Sequence, residues 1–271
     1  MSLSHRSFPS MRLSWLAAAL LCWTTAAPAA DLTVKAVIER LVQSTRERPA
    51  DFSRLDLTFL DFSDLDFKRA HLAGADLYGS DLSHADLSGT DLSGARLDRT
   101  VIIGTNFAGA NLSRASLLRP AAFSGFEIKR EEAPQFAGAD LSGARVFGRF
   151  NDGNWRGVNL SSARMGTDRS AQVMLQMLSR TDLGGCDLAG ANLAGADLAG
   201  ASLVFSNLTG ADLSDANLAG ADLSRADLTG ANLAGADLTT ADLDGTVLKN
   251  VRGLRQTKGL DAALHRAAAI E

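Results

Sequence analysis

Residues 181–248 read TDLGG CDLAG ANLAG ADLAG ASLVF SNLTG ADLSD ANLAG ADLSR ADLTG ANLAG ADLTT ADLDG TVL, a unit of small residue, Asp or Asn, Leu, polar residue and Gly. Leucine recurs at Leu183, Leu188, Leu193, Leu198, Leu203, Leu208, Leu213, Leu218, Leu223, Leu228, Leu233, Leu238, Leu243 and Leu248, 14 positions at a constant interval of five. That interval excludes both regular secondary structures. In an α-helix it carries each leucine about 140° further round the axis, so no apolar stripe forms. In a flat strand an odd step throws successive leucines onto opposite faces. The chain must therefore turn a corner inside every unit, with Gly or a small polar residue at the bend. Each Leu then faces a common interior beside the small residue two positions before it. The product is a solenoid, whose repeats bury their core only against their neighbours.

This pattern resembles the pentapeptide-repeat family, A(D/N)Lxx, in which the central Leu or Phe is position i and the small residue is i−2. The resemblance runs over residues 50–248. It implies an all-β solenoid, a right-handed quadrilateral β-helix in which four pentapeptides make one square coil and coils stack about 4.8 Å apart. The thirteen leucines from Leu183 to Leu243 would be its structural ladder. Leu, Phe and Ala would fill the interior and leave no room for a ligand. A hydrophobic content of 46% with only 6% aromatics suits so narrow a tube.

Working outward, a first block at 50–117 has i residues Phe52, Leu57, Phe62, Phe67, Leu72, Leu77, Leu82, Leu87, Leu92, Leu97, Ile102, Phe107, Leu112 and Leu117. Its first i−2 residues, Leu55, Leu60 and Leu65, are large, which predicts a wider or looser end. Residues 31–48 carry Val34, Val37, Ile38, Leu41 and Val42 at helical spacing, with Asp31 or Thr33 as N-cap, and predict a capping helix over the exposed end of the tube. Residues 1–29 read as a signal peptide: Arg6 and Arg12, the apolar run LSWLAAALLCW at 13–23, then Ala27-Pro28-Ala29 before Asp31. The run is too short to span a membrane, so no transmembrane segment is expected after cleavage near Ala29. The expected location is periplasmic or secreted.

Between the blocks the rhythm fails. Residues 118–134 (LRPAAFSGFEIKREEAP) have no five-residue register and predict a projecting loop. Repeats resume at Phe136, Leu141 and Val146, slip near 147–149 to Phe150, Trp155, Leu160 and Met165, and slip again near 166–172. Residues 171–180 fit either a short helix or two degenerate repeats. Beyond the long block, residues 249–271 lose the period and predict a C-terminal cap with an Ala-rich helix that lays Leu260, Leu264 and Ile270 over the last coil.

The net charge is −4, and −6 without residues 1–29. Its distribution along the rod is uneven: 9 acids and 3 bases over 50–95, 7 and 12 over 96–180, 10 and 1 over 181–248. Most acids sit at i−1, where Asp and Asn bond to nearby backbone amides, so their first expected role is to hold turns. In the middle, Arg145, Arg149, Arg156 and Arg164, with Glu127, Lys129 and Arg130 of the loop, are the candidate interaction surface. Phe150 and Trp155 lie at inward i positions, which removes them as stacking platforms for nucleic acid.

No catalytic constellation is present. His71, His84 and His265 are isolated, and no H-x-x-x-H, C-x-x-C, G-x-S-x-G or phosphate-loop pattern occurs. Cys186 occupies an i−2 core position, and Cys22 lies in the signal segment. The expectation is a protein with no catalytic residues, no cofactor, no metal and no small-molecule substrate, acting as a structural or protein-interaction scaffold for an unidentified protein partner. The resemblance also allows a homodimer through a solenoid end, and it supplies an alternative: some members mimic a DNA duplex and bind DNA gyrase, giving quinolone tolerance. The arginines of the middle interrupt such an acidic rod, and export would separate it from gyrase.

Overall fold

The computed structural model describes residues 30–45, 47–67, 69–125, 129–166 and 180–270. The expected signal segment, Glu127 and all of 171–180 except Arg180 lie outside the described residues. The rest is one tube, a right-handed quadrilateral β-helix. Its four sides can be numbered by the i−1 residues of the first coil: side 1 at Asp51, side 2 at Asp56, side 3 at Asp61 and side 4 at Asp66. Each of these pairs in parallel with the residue 20 further on, His71, Asp76, Asp81 and Asp86. On every side the i residue donates its N–H to the coil below and the i−1 residue donates to the coil above, as in Phe52 N–H to His71 C=O at 2.8 Å and His71 N–H to Ala50 C=O at 2.9 Å.

A four-residue turn makes each corner. Ala196 N–H donates to Leu193 C=O at 3.0 Å, and the third residue, Gly195, has φ +64°. That left-handed conformation is why Gly recurs there. Among the described residues sixteen corners nonetheless carry other residues at positive φ, including Arg54, His84 and Asp215, held by the surrounding ladder.

The interior is as dry as the spelling implies. Leu183 through Leu233 at every i position are 0% exposed, and the i−2 alanines are 0–1% exposed. Where i−2 is Ser or Thr, its hydroxyl is satisfied by a carbonyl: Ser80 Oγ donates to Leu77 C=O at 2.7 Å and Thr90 Oγ1 to Leu87 C=O at 2.6 Å. Cys186 belongs to the same set. Its buried thiol donates to Phe150 C=O at 2.9 Å, and desolvation pushes its pKa up, so it stays a protonated core residue.

At the N-terminal end, helix α1 (Val34–Gln43) starts at Thr33, whose Oγ1 accepts from Ala36 N–H at 3.3 Å. It is shorter than the 31–48 stretch because Ser44 has left helical geometry. Val37 and Leu41 are buried against the first coil, where Leu55, Leu60 and Leu65 pack against the core and are partly covered. Asp31 fixes the approach by accepting Asp56 N–H at 2.7 Å. Among the described residues no helix is long and apolar enough to cross a membrane.

The C-terminal segment corrects the expectation of an α-helix. It forms one more coil with six-residue sides: Arg252, Lys258, Leu264 and Ile270 pair with Asn232, Asp237, Asp242 and Val247. Single 3-10 turns, Leu254–Gln256, Leu260–Ala262 and Arg266–Ala268, fill its longer corners. Gly253, Gly259 and His265, each at positive φ, stop any helix from propagating through them. Leu260 packs against the core as expected, but Leu264 and Ile270 fall at outward i−1 positions and are 49% and 53% exposed.

Candidate interaction surface

The i−1 carboxylates serve the fold first. Asp182 Oδ1 accepts Gly184 N–H at 3.0 Å and Asp212 Oδ1 accepts Ser214 N–H at 3.0 Å, each closing a local turn. Asn next to Asp along a side bonds its neighbour: Asn207 Nδ2 reaches Asp187 at 3.0 Å, Asn217 reaches Asp197 at 3.0 Å, and Asn232 reaches Asp212 at 2.9 Å. Each such pair replaces a like-charge repulsion of about 0.9 kcal/mol at the stacking distance in water with a hydrogen bond.

Between Asp51 and Val247 the departures from the five-residue rhythm all border side 3. Ala121 on side 3 and Gln135 on side 4 of the same coil are 14 residues apart instead of five. Arg145 on side 2 and Arg149 on side 3 are four apart, and Arg164 on side 2 and Asp182 on side 3 are 18 apart. Sides 1, 2 and 4 keep an unbroken succession of rungs through this region, and on side 2 they lengthen into a parallel pair, β1 (Ser116–Leu118) with β2 (Arg145–Phe147). Side 3 does not. Ala121 pairs upward with Val101 and Arg149 pairs downward with Asp182, but no rung joins Ala121 to Arg149.

A cleft of about 310 Å³ occupies that gap, lined by Arg119, Pro120, Ala121, Ala122, Phe123, Gly125, Phe147, Gly148, Arg149 and Arg180. Arg119 sits at the corner before it with φ +54° and lies 5.9 Å from the Phe147 ring centroid, while Arg149 lies 5.9 Å from that of Phe123. Gly148 makes the close approach of the coils possible: a Cβ there would meet Pro120 Cδ at 3.0 Å. The insertion that forms one wall is tied to itself. Glu132, nearly buried, accepts Ser124 N–H and Ser124 Oγ, both at 2.8 Å, and lies 3.4 Å from Lys129 Nζ. These bonds, led by the Ser124 amide, hold its pKa below the usual carboxylate range. Through its carbonyl, Glu132 also accepts Gly104 N–H at 2.6 Å, docking the insertion on the coil above.

The expected basic residues are divided among the sides. Arg145 and Arg164 are adjacent rungs on side 2. Arg149 is on side 3, in the cleft, and Arg156 is at the corner after side 4, 3.3 Å from Asp187. Lys129 and Arg130 belong to the insertion, where Arg130 opens the turn Arg130–Glu132. Arg119 and Arg180 join Arg149 although the three span 61 residues of sequence, and neither stood out in the sequence, because only the coil arithmetic brings them together. Phe150 and Trp155 are 0% exposed inside the tube, where Trp155 stacks on Phe136 at 4.1 Å, Phe136 stacks on Phe107, and Phe150 packs edge-on against Phe136 and Trp155. Among the described residues no group of His, Cys, Asp and Glu could hold a metal ion. His71 is a rung of side 1, His84 is a corner, and His265 Nδ1 lies 2.8 Å from Asp242 Oδ1.

No curated protein matches the chain. Solved structures similar to it include HetL, a pentapeptide repeat protein involved in heterocyst differentiation regulation from the cyanobacterium Nostoc sp. strain PCC 7120, with 27% identity over 89% of this chain and 100% of HetL and a TM-score of 0.41. A pentapeptide repeat protein of the Arabidopsis thaliana thylakoid lumen is 34% identical over 36% of this chain and 59% of its own, with a TM-score of 0.31. QnrB1, a plasmid-mediated fluoroquinolone resistance protein, is 19% identical over 75% of this chain and 92% of its own, with a TM-score of 0.30. The family model of pentapeptide repeats matches in 8 copies over residues 50–89, 80–117, 178–215 and 211–250, more than half of the chain. With the square coils and the dry leucine ladder, that match places the chain in the pentapeptide-repeat family.

Proposed function

We propose that this protein is an exported, non-enzymatic scaffold that holds a protein partner against its interrupted middle, at the edge shared by sides 2 and 3. The observation that carries the reading is that two insertions, a deletion and basic side chains gather on the two edges that border side 3, in the middle of a rod whose flanking blocks are regular and acidic. A regular solenoid surface offers the same chemistry at every coil and therefore no preferred position. Side 3 offers one, with Arg145 and Arg164 along its border with side 2 and the insertion at its border with side 4, and loops on a rigid support are where binding concentrates. Export rests on the sequence of residues 1–29. The isolated histidines, the protonated Cys186 and the filled interior support a role without catalysis.

A photo-crosslinking residue in place of Arg145, compared with one in place of Asn217 further along the same side, tests the reading in cells. A partner captured at 145 and absent at 217 supports it, and equal labelling at both sites overturns it. Residues 1–40 fused to a reporter that folds only after export test the location, and cytoplasmic retention of the full chain sinks that part. A supercoiling assay with purified DNA gyrase separates the alternative, since inhibition at stoichiometric protein favours DNA mimicry over scaffolding.

A further inference from the structure

We propose that Phe59, on the edge shared by sides 2 and 3 in the first coil, is a docking point for an exposed arginine of a protein partner. Among the described residues five aromatic side chains stand at i+1 or corner positions, and four of them lie beneath a guanidinium of the chain itself. Arg96 Cζ lies 4.3 Å from the Tyr78 ring centroid, Arg225 5.4 Å from that of Phe205, and Arg149 and Arg119 5.9 Å from those of Phe123 and Phe147. Phe59 is the exception: no cation of the described chain covers it, and it is 65% exposed. It also stands at φ +57°, a corner conformation that glycine adopts without strain. Neither burial nor backbone preference accounts for a phenylalanine at this corner, and strain kept without such a return points to recognition.

The ring is held in place before any partner arrives. It meets Tyr78 edge to face, with centroids 5.4 Å apart at 81°, and it lies across the Gly79 corner below, where a Cβ would come within 2.7 Å of it. Little ordering is then left to be done on binding. Carboxylates flank it, Asp56 on side 2 and Asp61 on side 3 of the same coil. Each spends Oδ1 on its own turn, accepting Thr58 N–H and Ser63 N–H at 3.0 Å, and neither makes an ion pair among the described residues. Arg54 lies over Gly74, along the other edge of side 2. Residues 50–95 carry 9 acids and 3 bases, a field that attracts a cation and repels nucleic acid and other polyanions. Arginine is the cation that fits. Its planar guanidinium stacks on a ring while its N–H fork reaches carboxylates beside it, as Arg96 does here with Tyr78, Asp76 and Asp98. The site lies outside the interrupted middle and stands or falls without it.

Amide-resolved NMR titration of the full chain with a blocked Gly-Arg-Gly peptide, and with the same peptide carrying citrulline, the uncharged isostere of arginine, tests the inference. The arginine peptide should shift the amides of Thr58, Asp61 and Gly79 saturably, and the citrulline peptide should not at the same concentrations. Phe59→Gly places at the corner the residue that its conformation favours, so the variant should melt no lower than the parent while losing about fivefold or more of the affinity. Asp56→Asn should weaken the peptide about twofold, and Phe205→Gly, at the other aromatic corner, should leave it unchanged. Affinity unaltered by Phe59→Gly would reduce the contact to a general attraction between a basic peptide and an acidic rod. A lowered melting temperature of that variant would assign the ring to the fold. Either result, or equal shifts from the citrulline peptide, overturns the proposal.

Discussion

The regular stack of residues 181–248 and the interrupted coils between Ala121 and Asp182 use the same inward chemistry. Among the described residues, Leu183 to Leu243 of the first and Phe136, Leu141, Val146, Phe150, Trp155, Leu160 and Met165 of the second fill the i positions at 0–1% exposure. They differ in one dimension only, the number of residues spent on the corners beside side 3. Constant corners give four closed sides, on which every i−1 carboxylate is occupied with its own turn. Unequal corners leave three sides closed and open the fourth, where cations, phenyl rings and unpaired amides meet. In a solenoid the core therefore tolerates insertions so long as they leave between two rungs, and a surface site can arise without any change to the interior.

The comparison is broken most severely by charging the interior of the regular stack. Leu198→Asp places an unpaired carboxylate in a dry ladder and should cost about 4 kcal/mol or more, read as loss of the cooperative thermal transition. Asp197→Asn, one residue outward, should cost about 0.5 kcal/mol or less, because an amide oxygen can still accept from Ala199 N–H and Asn217. Equal melting of the two variants would mean that inside and outside have been exchanged. At a regular corner, Gly195→Ala should cost about 1 kcal/mol, since the added Cβ meets only Ser162 Oγ at 3.7 Å and the penalty is that of positive φ alone.

In the interrupted region the effects should be local. Glu132→Ala should leave the main melting transition in place while speeding proteolysis within the insertion and exchange of Gly104 N–H; a shifted main transition would mean that the insertion is part of the core. The same loosening should appear in acid, because a carboxylate with a depressed pKa contributes above its ordinary range and loses that contribution as pH falls through the depressed value. Smallest of all is the fastening of the final coil. The Asp242 hydrogen bond raises the pKa of His265 above its ordinary 6.5, and the His265 bond lowers that of Asp242. The pair thus favours the folded coil between those two values and weakens as pH rises through the upper one, to be seen as faster exchange of Leu264 N–H at alkaline pH with no change in the global melt.

Much of this was legible in the sequence. An interval of five admits no helix or strand, so Leu183 to Leu248 dictated corners, an interior and a stack. The helical spacing of Val34, Val37 and Leu41 located α1. The last coil was misread because Leu260, Leu264 and Ile270 also fit a helix, whereas Gly253, Gly259 and His265 at intervals of six were corner signals stretched by one residue. Nor could the cleft be read. Arg119, Arg149 and Arg180 come together only after nine residues are inserted, one removed and thirteen inserted relative to five-residue sides, and local pattern carries no record of which side each change falls on.

The central claim is that side 3 alone is opened while the tube continues unbroken on the other three. Residue-resolved amide exchange of the full chain tests it most directly. The account predicts that Ala122 and Arg149 N–H exchange about a hundredfold or more faster than Ile102 and Phe150 N–H, the intact rungs directly above and below, while Phe136, Leu141 and Val146 on the other sides stay protected. Protection of Ala122 and Arg149 equal to that of their neighbours would contradict it, because it would mean that the ladder on side 3 is closed.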